Sequence, residues 1–228
     1  MNIRFFLIIL LAGLALSGCR FLTANEKNFT SKIYSGQLNA NKVQVYSLAH
    51  SRQNTNDKLM GTLEAEYRTD KAVKSYGLDK SQLLTRAAAS LRDKPEALVI
   101  KNNIYYKSDA YKADLAEGFP TNVFVDDLEL LGHEIMHVWQ YQNRDRTGYT
   151  LLAVALEHIR YSKPYDYHIV PGKKFLDYRF EQQGKIVQDY VRYSFINPGS
   201  AELQALRKLL SQEFDLKSFN ETLLASAG

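Results

Sequence analysis

Residues 130–140 read LLGHEIMHVWQ and contain the pattern His133-Glu134-x-x-His137. Residues four positions apart lie one above the other on an α-helix, so the two histidines can direct their imidazole nitrogens at a single ion. Glu134 lies next to His133 around the helix, where it can polarise a water molecule on that ion without being a ligand itself. The pattern predicts a divalent metal site with Glu134 as a general base.

The surrounding sequence favours a helix over residues 125–142. Apart from Gly132, this segment contains no glycine and no proline. Its apolar residues recur at helical spacing and form one stripe, made of Leu128, Leu131, Ile135, Val138 and Trp139. At about 100° per residue the two histidines fall roughly opposite this stripe. The alternative interpretation is an exposed histidine pair on an ordinary amphipathic helix, and a third ligand would favour the metal site.

A catalytic zinc site keeps three protein ligands and leaves the fourth position to water. The extended pattern His-Glu-x-x-His-x-x-Gly-x-x-His is absent, because Gln140 and Asn143 occupy its glycine and third histidine positions. The third ligand must therefore come from another segment. Glu181 is one candidate, on the polar side of a predicted helix over residues 175–193, with Gly184 permitting close helix approach. His158 and His168 could instead supply a nitrogen, and Asp177 or Asp189 an oxygen.

Three segments resemble the zinc metallopeptidases of the Vgr-associated and extracellular-contraction-core type. They are residues 131–142, the Tyr165-Asp166-Tyr167 motif, and residues 175–190 with Glu181-Gln182-Gln183. The resemblance covers roughly residues 97–193 and implies a zinc ion (Zn2+) held in the gluzincin arrangement, HExxH followed by a distant glutamate. The ligands that it implies are His133, His137 and Glu181, with Glu134 as the base.

One position departs from the gluzincin pattern. Many gluzincins have an aspartate four residues after the ligand glutamate, where it orients a histidine, but this chain has Lys185 there. The orienting partner is therefore expected elsewhere, at Asp189, at Asp126 or at a backbone carbonyl.

A peptidase also needs a hydrogen-bond donor for the oxyanion that develops on the substrate. The donor candidates lie on the loop and helix that lead up to Glu181 and are Tyr165, Tyr167, His168 and Tyr178. We expect Tyr178 and Tyr167 to be the catalytic donors.

The periodicity of apolar residues in the rest of the chain predicts an α+β fold that is mainly helical. We expect a zincin-like single domain with a small β-hairpin or sheet next to the metal helix. A strand is expected at 43–48, a polar loop at 51–57, a helix at 78–92 and a hairpin at 97–107, followed after the metal helix by helices at 149–161, 175–193 and 201–214. In zincins a strand shortly before the metal helix forms the edge of the cleft and pairs with extended substrate. By that resemblance Ile104, Tyr105 and Tyr106 are expected to bind substrate. The alternative is a hairpin that only covers the core.

Residues 1–18 are predicted to be a lipoprotein signal peptide. Arg4 precedes an apolar run over residues 5–16, which is short for a membrane span, and Leu16-Ser17-Gly18-Cys19 resembles a bacterial lipobox. The resemblance implies cleavage before Cys19 and lipid attachment to it. Arg20 in the next position favours the outer membrane, with the protein facing the periplasm.

Residues 19–40 are then expected to be the lipid anchor and a polar tether, and residues 41–228 the metallopeptidase domain. Cys19 is the only cysteine, so no disulfide is expected. Loss of Arg4 with the signal peptide lowers the formal net charge from +4 to +3, and the basic residues are scattered. This charge pattern indicates no nucleic-acid partner.

The sequence thus favours a membrane-anchored zinc metalloprotease of the bacterial envelope, a hydrolase acting on a peptide or protein substrate. No protein partner is indicated. The alternative is a catalytically inactive, zinc-binding lipoprotein that serves as a scaffold for envelope or secretion-machinery assembly. Hydrolysis of an amide in cell-wall peptide would use the same chemistry as the first hypothesis.

Overall fold

The computed structural model describes residues 18–69, 79–93 and 95–226. Their strands are β1 (Cys19–Phe21), β2 (Gln44–Ser47), β3 (Ala97–Ile100) and β4 (Asn103–Tyr106). Their α-helices are α1 (Ala24–Tyr34), α2 (Leu48–Thr69), α3 (Lys80–Asp93), α4 (Val125–Gln142), α5 (Arg144–Thr147), α6 (Leu151–Arg160), α7 (Phe180–Ile196), α8 (Ala201–Leu210) and α9 (Lys217–Ser226). The predicted α+β, mainly helical fold class is confirmed.

The four strands form one small sheet in the order β1-β2-β4-β3. β4 pairs in parallel with β2, where Val45 lies opposite Ile104, and antiparallel with β3, where Val99 lies opposite the same residue. The hairpin predicted at 97–107 is therefore present. Because β4 is paired on both sides, β3 is the strand at this edge of the sheet.

Helix α4 covers residues 125–142, as predicted, and is buried on more than one side. Its apolar stripe packs into a core shared with α1, α7, α8 and α9. A second apolar cluster fills the space between α2, α3, α6 and the opposite face of the sheet. The two histidines of α4 lie off the apolar stripe, on the side facing the start of α7.

The predicted polar tether over residues 21–40 is wrong, because part of this segment is a helix packed in the core. Phe29, Ile33 and Tyr34 are fully buried and lie on one side of α1. Thr23 and Glu26 form a capping box at the start of this helix, which satisfies two of its free amide groups. The abundance of polar residues obscured an apolar stripe of only a few positions.

Two smaller expectations are also corrected. Residues 51–57 are part of α2 and not a loop, since Thr55, Leu59 and Leu63 recur at four-residue spacing on its buried side. The helix predicted at 175–193 is divided into a 3-10 turn (Phe175–Asp177) and α7, because Tyr178 and Arg179 have extended backbone angles.

The predicted signal peptide lies outside the described residues except for Gly18. Among the residues that the structure does describe, no helix has both the length and the apolar character needed to cross a membrane.

Candidate metal centre

His133, His137 and Glu181 bring three ligand atoms together in the interior. The Nε2 atoms of the two histidines are 3.2 Å apart, and they lie 3.3 and 3.4 Å from Oε2 of Glu181. A tetrahedral zinc ion with bonds of about 2.0–2.1 Å separates its ligands by about 3.3–3.4 Å. The three atoms therefore already have the spacing of one face of a tetrahedral site. All three residues are buried, and this group could hold a metal ion.

The electrostatics of this group show how strongly its members interact. Burial alone would raise the pKa of Glu181, but the charge of His137 and hydrogen bonds from three histidines outweigh it and hold that pKa well below its usual range. Burial alone would lower the pKa of His137, yet the Glu181 carboxylate raises it to about 9. In the metal-free protein the ring of His137 is thus protonated on both nitrogens at neutral pH. A metal ion must displace the Nε2 proton to bind.

Gln140 orients the ring of His137. Its Oε1 lies 2.8 Å from Nδ1 of His137 and accepts a hydrogen bond from the Nδ1–H group when the ring is neutral, which leaves the Nε2 lone pair for a metal ion. Its Nε2 donates to Oε1 of Gln183 at 3.0 Å and to the Phe180 carbonyl at 3.2 Å. The same side chain therefore links α4 to the first turn of α7.

Helix α6 supports Glu181 from the other side. The Glu157 carboxylate accepts the backbone N–H groups of Phe180 at 2.9 Å and of Glu181 at 3.0 Å, which caps the start of α7. His158 Nε2 lies 2.7 Å from Oε1 of Glu181. His158, one of the alternative nitrogen ligands considered from the sequence, thus contacts the third ligand.

Gly184 allows His133 to occupy its place. A Cβ atom added at Gly184 would lie 2.8 Å from both Cε1 and Nε2 of the His133 ring, closer than real Cβ contacts. The close approach expected at this glycine is confirmed, and its neighbour is the metal-binding edge of the imidazole.

We expect Gly184→Ala to weaken metal binding by about 10–100-fold, the range typical of changes that reorient a ligand. The added methyl group must push the His133 ring away from the other two ligand atoms. Zinc affinity measured by competition with a chromophoric chelator tests this result. Gly61→Ala is the matched control, because Gly61 is also helical and its added Cβ meets nothing within 4 Å. The control should keep wild-type affinity, and equal affinity in both variants would contradict the prediction.

Glu134 lies beside these ligands on the wall of a cavity of about 340 Å³. The side chain is only 4% exposed, and its carboxylate forms no hydrogen bond with any described residue. Burial raises its pKa, although His133 and His137 partly oppose this effect. A base that is buried, unpaired and adjacent to the ligands is free to interact with a molecule in the cavity.

The structure does not bring Tyr178 or Tyr167 to the cavity. The Tyr178 hydroxyl donates to the His168 carbonyl at 3.0 Å and accepts the Val170 N–H, while Tyr167 donates to Asp189. Neither residue lines the cavity, so the expectation that they stabilise an oxyanion is corrected. Tyr165, two residues before Tyr167 in the same loop, does line it, with its ring centroid 5.8 Å from that of His133.

The expected substrate-binding role of Ile104, Tyr105 and Tyr106 is also corrected. All three belong to β4, which is paired on both sides, and all are at most 1% exposed. The strand that borders the cavity is β3, through Ala97, Leu98 and Val99. β2, with β1 beyond it, pairs with the far side of β4. The strand at the cavity edge is therefore β3 and not β4 as expected.

The remaining candidates lie away from the ligand group or have other partners. Asp189 binds Lys185 and Tyr167, Asp126 binds Arg192, and Asp177 binds the Lys174 N–H. None of them orients a histidine, and His168 does not line the cavity. Cys19, the predicted lipidation site, is the first residue of β1 and pairs with Tyr46 of β2.

The contact of Gln140 with His137 and the contact of His158 with Glu181 were not predicted from the sequence. A signal for Gln140 was available, because it follows His137 by three residues and so shares its side of the helix. The sequence carried no corresponding signal for His158, whose position depends on the packing of α6 against α7.

No protein-family model matches this chain, and no solved structure matches it. A 62-residue stretch is 44% identical to the type VI secretion system spike protein VgrG2b of Pseudomonas aeruginosa. The match includes 25% of this chain and spans only 6% of the length of that relative. Over part of its length, the chain is therefore similar to a VgrG spike protein, and it contains a buried group of two histidines and a glutamate that could bind a metal ion.

Proposed function

We propose that the protein is a zinc-dependent peptidase. The observation that carries the proposal is the environment of Glu134, a buried carboxylate beside three ligand atoms that has no hydrogen-bonding partner among the described residues. Burial raises the pKa of this carboxyl group even though the charges of His133 and His137 oppose the effect, so keeping it ionised at this position costs stability. A protein that only bound metal would gain nothing from that cost, whereas a hydrolase needs a base at this position.

Zinc is the metal that this donor set favours. Two imidazole nitrogens and one carboxylate oxygen at tetrahedral spacing are typical of catalytic zinc sites, which leave one position to water. When bound, the ion supplies Lewis acidity that polarises a carbonyl and makes water more acidic. Glu134 would take the proton of the attacking water and deliver it to the leaving amine.

A peptide substrate fits the wall formed by β3. Within the described residues the outer edge of β3 carries no paired strand, and its residues border the cavity. The N–H and C=O groups of an unpaired edge can pair with an extended chain. The β3 residues are only 2–5% exposed, so this pairing would take place inside the cavity that they line. Leu91, Leu151 and Val154 line another part of the cavity and would favour an apolar substrate side chain.

Tyr165 is the best-placed donor for an oxyanion. Its ring makes edge contacts with the rings of His133 and His158, with centroid distances of 5.8 and 5.6 Å. Gln182 and Arg179, at the start of α7, hold its loop through the carbonyls of Asp166 and Pro164. Its side chain is partly exposed and lines the cavity, and we propose that its hydroxyl donates to the oxyanion.

The proposed setting is the bacterial envelope, with lipid on Cys19 anchoring the protein to the outer membrane on the periplasmic side. The lipobox-like sequence supports this proposal. Because Cys19 begins β1 and pairs with Tyr46, such a lipid would attach directly next to the sheet, without an intervening tether.

We expect a chelator to abolish hydrolysis of a peptide library and stoichiometric zinc to restore it. The reason is that the three ligands alone provide no strong Lewis acid. Mass spectrometry of a mixed peptide library, with untreated, stripped and zinc-reloaded protein, measures this effect. Hydrolysis unaffected by metal removal would contradict a zinc peptidase. A zinc-loaded protein that cleaves neither peptides nor cell-wall peptide would favour the metal-binding scaffold.

A further inference from the structure

The two carboxylate oxygens of Glu181 have different neighbours. Oε2 lies 3.3 and 3.4 Å from Nε2 of His133 and His137. Oε1 lies 2.7 Å from Nε2 of His158, the shortest of these contacts. His158 is only 3% exposed, so water competes little for this hydrogen bond. One oxygen therefore faces the ligand group and the other faces away from it.

The chemistry of this contact determines where the proton of His158 lies. An ionised carboxylate only accepts hydrogen bonds, so Nε2 of His158 must be the donor. A ring nitrogen that carries a proton has no lone pair for a metal ion. His158 can therefore not be a fourth ligand through Nε2 while it holds Glu181. The coordination position beyond the three ligands remains available to water or substrate.

The last turn of α6 holds both the backbone and the side chain of Glu181. Glu157 accepts the N–H group of Glu181 at 3.0 Å, and the next residue, His158, binds its carboxylate. Nδ1 of His158 is buried and has no hydrogen-bonding partner among the described residues. The contact with Glu181 is thus the polar interaction that the His158 side chain makes in this structure.

We propose that His158 is a positioning residue that holds Oε1 of Glu181, so that Glu181 binds the metal ion through Oε2 alone. A free carboxylate can bind a metal ion through both oxygens, which occupies one more coordination position. Restricting Glu181 to one oxygen keeps the site three-coordinate towards the protein. The inference rests on the metal centre of the proposed function but does not require peptide hydrolysis.

Cobalt substitution in the full chain tests this inference without any activity assay. Four-coordinate cobalt(II) absorbs visible light more strongly than five-coordinate cobalt(II). His158→Phe removes the donor but keeps a ring, so Oε1 becomes free to bind the ion. We expect weaker visible absorption and a zinc affinity lower by about 10–100-fold. His158→Gln, whose amide nitrogen can reach Oε1, should restore both properties.

The outcomes separate the possible failures. If His158→Phe does not fold, His158→Asn replaces it, because the shorter amide places its donor out of reach of Glu181. Wild-type absorption and affinity in either of these variants would overturn the role of His158. A folded His158→Gln protein that fails to restore the cobalt spectrum would also overturn it. A wild-type chain that binds neither cobalt nor zinc would instead contradict the metal centre.

Discussion

Glu134→Gln is expected to abolish most peptide hydrolysis while leaving zinc binding intact. Glutamine has nearly the same shape as glutamate but cannot take a proton from water, and a positioned general base contributes roughly 10²–10⁴-fold to the rate. Glu134 is not one of the three ligand residues, so zinc content should remain that of the wild type. Turnover of a peptide substrate and metal analysis of the same preparation measure both effects.

The same substitution should stabilise the metal-free protein. Burial raises the pKa of the Glu134 carboxyl group although the charges of His133 and His137 oppose it, so removing this charge at neutral pH is worth on the order of 1 kcal/mol. For a chain of this size each kcal/mol raises the melting temperature by about 2–4 °C. Lower activity with higher stability is the combination expected when a catalytic group that destabilises the fold is removed.

Glu129→Gln provides a matched control on the same helix. Glu129 is also buried, but its carboxylate binds Gln188 at 3.2 Å and Arg192 at 3.1 Å. Its replacement should leave hydrolysis near the wild-type rate and lower the melting temperature. Undiminished hydrolysis in Glu134→Gln would contradict its role as the base.

Glu181→Ala is expected to reduce zinc affinity by a factor on the order of 10²–10³. Structural zinc sites with four ligands bind with about 10–16 kcal/mol, so one ligand accounts for roughly a quarter of that free energy. The variant also leaves the protonated His137 without the carboxylate that raises its pKa to about 9. The metal-free variant should therefore unfold at a lower temperature than the wild type.

Competition with a chromophoric chelator and thermal unfolding without metal measure these two effects. Asp189→Asn is the control, since Asp189 lies on the same helix and binds Lys185 at 2.6 Å and Tyr167 at 2.9 Å. This control should bind zinc with wild-type affinity. A Glu181→Ala protein with undiminished affinity would show that another side chain is the third ligand.

Local periodicity determined much of what could be predicted from the sequence. The helix over residues 125–142, the paired histidines and the adjacent Glu134 all depend on contacts within one or two helical turns. The hairpin at 97–107 and the α+β class follow from similarly local patterns. Sequence spacing alone did not distinguish Glu181 from the other candidates for the third ligand. The resemblance to known metallopeptidases selected it.

Tertiary structure decided the features that depend on distant parts of the chain. Both strands of the hairpin are apolar, and only the addition of β1 and β2 to β4 leaves β3 at the edge. Tyr165 and Tyr167 are two residues apart in the sequence. The conformation of their loop decides that Tyr165 lines the cavity and Tyr167 does not.

The sequence by itself therefore determined the metal-binding turn and its base, because these residues are neighbours on one helix. Only the packing of α4, α6 and α7 decided that Glu181, 48 residues after His133, meets the two histidines and that His158 holds its other oxygen. The physical reason is that helical periodicity defines the direction of side chains within an element, whereas contacts between elements depend on the packing of the whole core.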